Sequence, residues 1–402
     1  MGDKDIFVKM KNPYTFGVPV RGENKFFGRE EELRILCDTL ENSPRGQKQD
    51  IIIMGPRRNG KSSLLYRFYH LLYTNERFIP ILIDIQSIKP KQIRPLFVKL
   101  LNEVVKGYGR RKADNYMPLF QTLNPEFQVV PDMEYMSASE DLGLLNEWID
   151  ANNAPQLVLM FDEVELLVEY GGSDTLGWFR SLIQRLSNII FVVAGSEYLY
   201  KLTQDYGSPF YNIFKSIEIH PLTDTAASQL IREPAKEIGL DISSSDVNKI
   251  LYCTGNVPYF IQGIAHYIVE KLNTQKRYKP TTNDIEEVIK QSIDHFSPQF
   301  IYYWQKASQV QKAILYILAR IGSPQDMDGL IENLPKSEIF DDILQSKGTR
   351  QDIIDDLIQQ QILKQTEDNK FVFVVPLFAD WITTSRMNDE EILDLIPKST
   401  DR

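Results

Sequence analysis

The chain has 402 residues, long enough for two or three domains, with the 43% hydrophobic and 25% charged content of an ordinary soluble globular protein. A formal net charge of −10 argues against a broad basic nucleic-acid footprint, though a local patch would survive that argument. Cys37 and Cys253 lie far apart without ligand spacing and read as buried thiols of a reducing compartment. The start, Met1-Gly2-Asp3-Lys4-Asp5, has no apolar signal core, and no run of about 18 apolar residues is present, so a cytoplasmic protein without a membrane span is expected.

In chain order, Asn12-Pro13-Tyr14-Thr15-Phe16-Gly17-Val18-Pro19-Val20 is rich in turn-formers and aromatics. Phe26-Phe27-Gly28-Arg29-Glu30 comes next, then a helix over residues 30–40 carrying Leu33, Leu36 and Leu40, broken by Ser43-Pro44-Arg45-Gly46. This segment is placed to pack on an adenine ring, or simply to serve as an N-terminal brace. Ile51-Ile52-Ile53-Met54 reads as a buried parallel strand. After it stands Gly55-Pro56-Arg57-Arg58-Asn59-Gly60-Lys61-Ser62-Ser63, which matches G-x-x-x-x-G-K-[ST]. A helix over 62–72 succeeds the loop, with Leu64, Leu65, Phe68, Leu71 and Leu72 on one face. Glycines let such a loop curl round an anion, so that its N–H groups and the helix N-terminus face phosphates. Lys61 would reach the β- and γ-phosphates of a nucleoside triphosphate, and the Ser62 hydroxyl would ligate Mg²⁺.

A second strand is expected over 79–85, with helices over 90–105 and 139–151. Residues 106–136, with Arg110-Arg111-Lys112 and several Gly and Pro, read as irregular: a lid-like or partner-facing insertion, or a long loop whose basic run is solvated. Leu157-Val158-Leu159-Met160-Phe161-Asp162-Glu163 is an apolar strand opening onto two carboxylates, about 100 residues after the phosphate loop. Ligands of open α/β sheets bind at that strand edge. Asp162 would hold Mg²⁺ and Glu163 would act as general base on the attacking water. A helix over 178–186 carries Arg180 and Arg185. The strand over 189–194 is closed by Gly195-Ser196, where Ser196 would hydrogen-bond the γ-phosphate or the water, or merely cap the strand. Four such strands with interleaved helices imply an α/β fold, a P-loop parallel sheet flanked by helices and ending near Pro221.

An all-helical stretch is expected over 224–295, capped by Thr223 or Asp224, with Gly255-Asn256-Val257-Pro258 turning between two helices. Helices over 308–321, 326–334 and 349–360, then a hairpin of 362–364 and 371–375, make a winged helix. Its third helix, Arg350-Gln351-Asp352-Ile353-Ile354-Asp355-Asp356-Leu357, is poor in cations for a phosphate-contacting surface, which favours intramolecular or protein contacts. The tail beyond Met387 is acidic and expected to be disordered, and no repeat of 20 to 50 residues is found.

These motifs together resemble the STAND class of AAA+-related P-loop ATPases and the related archaeal-type ATPases, over roughly residues 12–386. The resemblance rests on the Asn12-Pro13-Tyr14 and Phe27-Gly28-Arg29-Glu30 boxes, the phosphate loop, Phe161-Asp162-Glu163, Ala194-Gly195-Ser196, Pro209-Phe210-Tyr211-Asn212 with Pro221-Leu222, and Gly255 with Pro258. It implies that Asn12, Pro13 and Phe27 contact adenine and that Pro258 packs near it. Two positions depart from the family pattern: Glu197 stands where many members carry an arginine, and Val374-Val375-Pro376-Leu377 lacks the histidine that senses the ADP β-phosphate.

The expected division is 1–222 as the nucleotide-binding domain, 223–300 as a helical subdomain, 301–387 as the winged helix and 388–402 as the tail. The expected activity is binding and slow hydrolysis of ATP to ADP with Mg²⁺, by a switch that assembles with itself or with a separate effector protein. Loose phosphoryl-transfer transition states gain from an arginine supplied in trans. Arg185 is the candidate for that role, the competing reading being a surface salt bridge. The alternative function is a DNA-binding initiator or regulator, which the acidic third helix and the net charge disfavour.

Overall fold

The computed structural model describes residues 7–43, 46–110, 134–333 and 347–384. Most of the expected irregular insertion, with Arg111-Lys112, and the whole acidic tail lie outside the described residues. The chain divides into two compact units, Pro19–Ile219 and a second made of Met1–Val18 with His220–Arg402.

The first unit is a parallel sheet wrapped by helices. Its strands are β1 (Ile51–Met54), β2 (Phe78–Asp84), β3 (Gln156–Asp162), β4 (Ile189–Gly195) and β5 (Lys215–Glu218), in the order β2-β3-β4-β1-β5. All four pairings are parallel. The sequence reading found four strands; β5, Lys215-Ser216-Ile217-Glu218, was missed because only Ile217 is buried and the segment alternates like an edge strand. β1 shows why central parallel strands read as continuous apolar runs. Ile51 and Ile53 face one layer, with Leu64, Leu65 and Phe68 of α2 (Lys61–Tyr73) and Leu36 and Leu40 of α1 (Glu30–Glu41). Ile52 and Met54 face the other, with Phe97, Leu100 and Leu101 of α3 (Ile93–Arg110), Leu142 and Leu145 of α4 (Glu134–Ala151), and Phe179 and Leu182 of α5 (Ser173–Arg185). Each fully buried side chain of this kind contributes about 1.5–3 kcal/mol. α6 (Tyr198–Gln204) comes after β4 and was also missed.

Helix extends into both ends of the stretch expected to be irregular. α3 runs on to Arg110 and α4 begins at Glu134, because Leu100, Leu101, Val104 and Tyr108 continue one apolar stripe and Ala138, Leu142 and Leu145 begin another. Gly107 is tolerated inside α3 because a Cβ there would strike Ile79 and Ile81 of the sheet.

The second unit contains α7 (Asp224–Glu237), capped by the Thr223 hydroxyl on the Ala226 amide, then α8 (Ser244–Thr254), α9 (Pro258–Thr274) and α10 (Thr282–Lys306). α10 crosses the expected 300/301 boundary, carried through by Phe296, Phe300 and Trp304 on its buried stripe despite Pro298. Its start is a capping box of Thr281 and Asp284. Asp284 also accepts from Arg277 at 2.6 Å, and these donors hold its carboxyl below the usual range despite the opposing effect of burial.

Residues 7–18 are strapped onto the helices of this unit. Met10 and Asn273 exchange two hydrogen bonds, at 2.8 and 3.0 Å, and the Tyr14 hydroxyl donates to the Ile231 carbonyl. Phe16 sits among Tyr259, His266, Tyr267 and Phe296. Gly263 leaves the room, since a Cβ there would meet Phe296 at 2.6 Å.

After α10 come α11 (Gln309–Ile321), α12 (Met327–Glu332), α13 (Lys347–Gln359), the antiparallel hairpin β6 (Leu363–Gln365) and β7 (Phe371–Phe373), and α14 (Pro376–Thr384). α14 was not expected; it is amphipathic, with Asp380, Thr383 and Thr384 exposed, and it packs Phe378 on Phe300 and donates from the Trp381 indole to Ser297, both partners on α10. Gly255 ends α8 in the left-handed conformation, φ 57°, and an added Cβ would fall on the Val374 carbonyl just after β7. A substitution therefore meets both backbone strain and a backbone obstacle. Gly255→Ala is expected to cost about 3 kcal/mol and to lower the melting temperature by roughly 6–12 °C in calorimetry. A melt within 2 °C of wild type, about the change a 1 kcal/mol loss gives, would show that the Gly255–Val374 contact does not constrain the fold.

Candidate functional site

The phosphate loop joins β1 to α2 at the carboxyl edge of the sheet, where β3 and β4 also end. Its conformation explains its composition. Arg58 and Gly60 are left-handed, φ 75° and 91°. Gly55 has φ 155°, and a Cβ on it would lie 2.7 Å from the Ile219 carbonyl just past β5. Asn59 is buried while Arg57 and Arg58 are exposed. The Ser63 hydroxyl accepts from the Val20 amide at 3.0 Å.

Lys61 is buried, and its ammonium donates to the Gly55 and Pro56 carbonyls at 2.7 and 2.8 Å. Burial pulls it below the usual lysine range, against the opposing pull of Glu165, Asp162, Glu197 and Glu163. The Ser62 hydroxyl hydrogen-bonds the Asp162 carboxylate. Burial pushes Asp162 up, and Ser62 and Lys61 push it down. Glu163 takes a left-handed conformation, φ 56° and ψ 47°, where a side chain costs about 1–2 kcal/mol. Burial raises its pKa as well, opposed by Arg57. Its Oε2 is buried with no hydrogen-bond partner among the described residues. Ser196, at the end of β4, is buried, and its amide donates to Glu165 at 2.8 Å.

Lys61, Ser62, Asp162, Glu163 and Ser196 thus belong to one neighbourhood at one sheet edge. Three further carboxylates join it that the sequence reading did not select. Asp84 is the register partner of Asp162 and ends its own apolar strand, the signal that would have found it. Glu165 lies two residues past Glu163. Glu197 occupies the position noted only as a departure.

The remaining candidates have other surroundings. Asn12 donates to the His266 carbonyl and Glu270 and accepts from the Tyr14 amide, so its amide is committed within the second unit. Pro13 is buried in that unit, and Pro258 is the first residue of α9 there. Phe27 is half-buried in the P-loop unit. Arg180 donates to the Pro209 and Tyr211 carbonyls at 2.6 and 3.3 Å. Arg185, exposed, donates to the Ser139 carbonyl at 2.9 Å.

Arg29 has a role that the sequence reading did not assign. Its guanidinium is held by Glu32 at 2.9 Å and donates to the Asn59 carbonyl of the phosphate loop at 3.1 Å. The Phe-Gly-Arg-Glu box therefore braces the loop from behind.

A family model described as an ATPase domain predominantly from Archaea matches residues 26–264. An uncharacterized HTH-type transcriptional regulator of Methanocaldococcus jannaschii is 23% identical over 359 residues, covering 82% of this chain and 84% of that protein. Among solved structures, the Walker-type ATPase of Pyrococcus abyssi aligns with TM-score 0.60 and 19% identity over 91% of this chain and 99% of its own. The Aeropyrum pernix ORC2 protein, solved as ADPNP-ADP complexes, aligns with TM-score 0.54 and 11% identity over 92% and 96%. At these identities the two structures speak to the fold, an α/β P-loop ATPase architecture.

Arg29→Met keeps the aliphatic stem but removes the contacts to Glu32 and Asn59, and should cost about 2 kcal/mol in urea unfolding. Part of that cost is the stranded Glu32, so Arg29→Met with Glu32→Gln should be less destabilised than Arg29→Met alone. Equal losses in the single and double variants would remove the Glu32 pairing from the account.

Proposed function

Because this chain belongs to the ATPase domain family predominantly from Archaea, we propose that it is a Mg²⁺-dependent ATP switch of the STAND-like kind, hydrolysing slowly and assembling with itself or a separate effector protein. The observation that carries this is the convergence of Lys61 and Ser62 with Asp162 and Glu163 at the carboxyl edge of one parallel sheet.

In this reading Lys61 leaves the Gly55 and Pro56 carbonyls and takes up the β- and γ-phosphate oxygens, exchanging neutral acceptors for charged ones. The loop residues 55–63 wrap the phosphates with backbone N–H groups. The oxygen donors Ser62 and Asp162, already hydrogen-bonded to each other, suit a hard cation that keeps waters and phosphate oxygens as its other ligands. Mg²⁺ bound there neutralises charge that builds on the phosphates. Glu163 accepts a proton from the attacking water as its oxygen bonds to the γ-phosphorus and the bond to the β-phosphate oxygen breaks, releasing ADP. Its raised pKa and unpartnered Oε2 suit a general base. Ser196 would meet the γ-phosphate from β4. Arg185 would act in trans only after leaving Ser139, an inexpensive step for an exposed side chain.

The described helices and hairpin from α11 to β7 fit a winged helix. A DNA-binding role has one observation in its favour, the similarity to an HTH-type regulator. Asp352 and Asp355 are exposed on α13, which favours protein contacts there. A salt-dependent DNA shift would reverse that preference.

Two results test the proposal. Mg-ATP should raise the melting temperature of the wild type, and Lys61→Ala should abolish that rise; undiminished stabilisation of the variant would sink the phosphate assignment. Glu163→Gln keeps the shape without the basicity, so ATP should still bind while turnover falls about 100-fold or more. Wild-type turnover in this variant would remove Glu163 as the base.

A further inference from the structure

Glu165 makes a contact that the phosphoryl-transfer mechanism leaves unused. The chain reverses at left-handed Glu163 and winds into a short 3-10 turn, Val164–Tyr170. Glu165 Oε1 accepts the Ser196 amide at 2.8 Å. Its Oε2 is buried and has no hydrogen-bond partner among the described residues. Gly195 has no side chain to spare here: an added Cβ would fall on Glu165 Oε2 and crowd Leu199. Gly195 does not take a left-handed conformation, so this close approach accounts for the glycine and φ does not. Glu165 also heads the carboxylates that act on Lys61.

We propose that Glu165 is a positioning residue for γ-phosphate recognition, gripping the Ser196 amide so that the tip of β4 is set where Ser196 tells ATP from ADP. The proposal rests on the reading that Ser196 meets the γ-phosphate. A buried carboxylate oxygen without a partner is costly, so a carboxylate kept here solely as a brace would be a poor choice. A brace and a positioning residue also differ in what their loss does. Losing a brace lowers stability and weakens both nucleotides alike. Losing the grip on Ser196 weakens only the ligand that carries a γ-phosphate.

The test is competition of ATPγS and of ADP, each with Mg²⁺, against a fluorescent ADP analogue on the full chain. Glu165→Ala should weaken ATPγS about tenfold relative to ADP, the scale of one charge-assisted hydrogen bond. Glu165→Gln keeps an oxygen that accepts from Ser196, so its ATPγS-to-ADP ratio should stay within about threefold of wild type. An unchanged ratio in Glu165→Ala overturns the proposal. So does a Glu165→Gln variant as impaired as Glu165→Ala, which would make the charge and not the hydrogen bond the operative feature. Should Glu165→Ala fail to fold by circular dichroism, Glu165→Asp takes its place. Its shorter carboxylate no longer reaches Ser196, the same selective loss is expected, and an unchanged ratio overturns the proposal equally. Wild-type ADP binding separates two failures: if it is absent, the nucleotide-site reading falls and this inference with it; if it is present with unchanged ratios, only the role of Glu165 falls.

Discussion

The P-loop unit is organised around one buried ammonium. Lys61 sits in a place where an isolated charge would cost several kcal/mol, and two loop carbonyls together with nearby carboxylates hold it there. That requirement reaches outward. The carbonyls of Gly55 and Pro56 face Lys61 only because the loop curls, and the loop curls only with Gly55 against Ile219, Arg58 and Gly60 left-handed, and Asn59 held by Arg29. The carboxylates are in reach only because β4 lies beside β1 and β3 beside β4, all parallel and ending at the same edge. One side chain therefore ties the order of the strands to the shape of the loop.

Charge around that ammonium is out of balance. Glu165, Asp162, Glu197 and Glu163 act on Lys61, Asp84 acts on Asp162 and Glu163, and Arg57 opposes the carboxylates at Glu163. Adding a polyanion to this edge without more positive charge would be uphill in a site of lowered dielectric. In the proposed function a divalent cation held by Ser62 and Asp162 would offset this, which would couple metal and nucleotide binding at this edge. Burial is the main reason that Asp162 and Glu163 lie above the usual carboxylate range; Asp84 adds to it at both, and Asp162 and Glu165 add to it at Glu163.

Much of this was legible in the sequence because the central strands are buried on both faces. Ile51–Met54, Leu157–Phe161 and Ile189–Ala194 read as uninterrupted apolar runs, and the phosphate loop and Asp162-Glu163 come directly after two of them. What escaped notice lacked that signal. β5 is an edge strand with one buried residue, and the ends of α3 and α4 were hidden among Gly and Pro that usually break helices. Glu165 and Arg29 were invisible as site residues for another reason. Each acts through a backbone group distant in sequence, the Ser196 amide and the Asn59 carbonyl, and such a partner leaves no mark on residue type. Gly195 carried the trace, since a glycine at a strand end without a left-handed conformation points to something lying close against it.

The second unit poses the opposite question, how a join can hold without charge. Where the family pattern has a histidine after the hairpin, the chain has Val374-Val375-Pro376, and the contact made there is the Val374 carbonyl packed on Gly255. No ionisable side chain takes part in that contact. Packing of this sort has two outcomes, fitted or displaced, because a backbone carbonyl against a glycine Cα has no partial setting. It is reinforced by α14, whose Phe378 and Trp381 pack on α10, so the helical stretch and the hairpin share one set of buried aromatics. Packing alone therefore joins the helices α7–α10 to the hairpin and α14 within one compact unit.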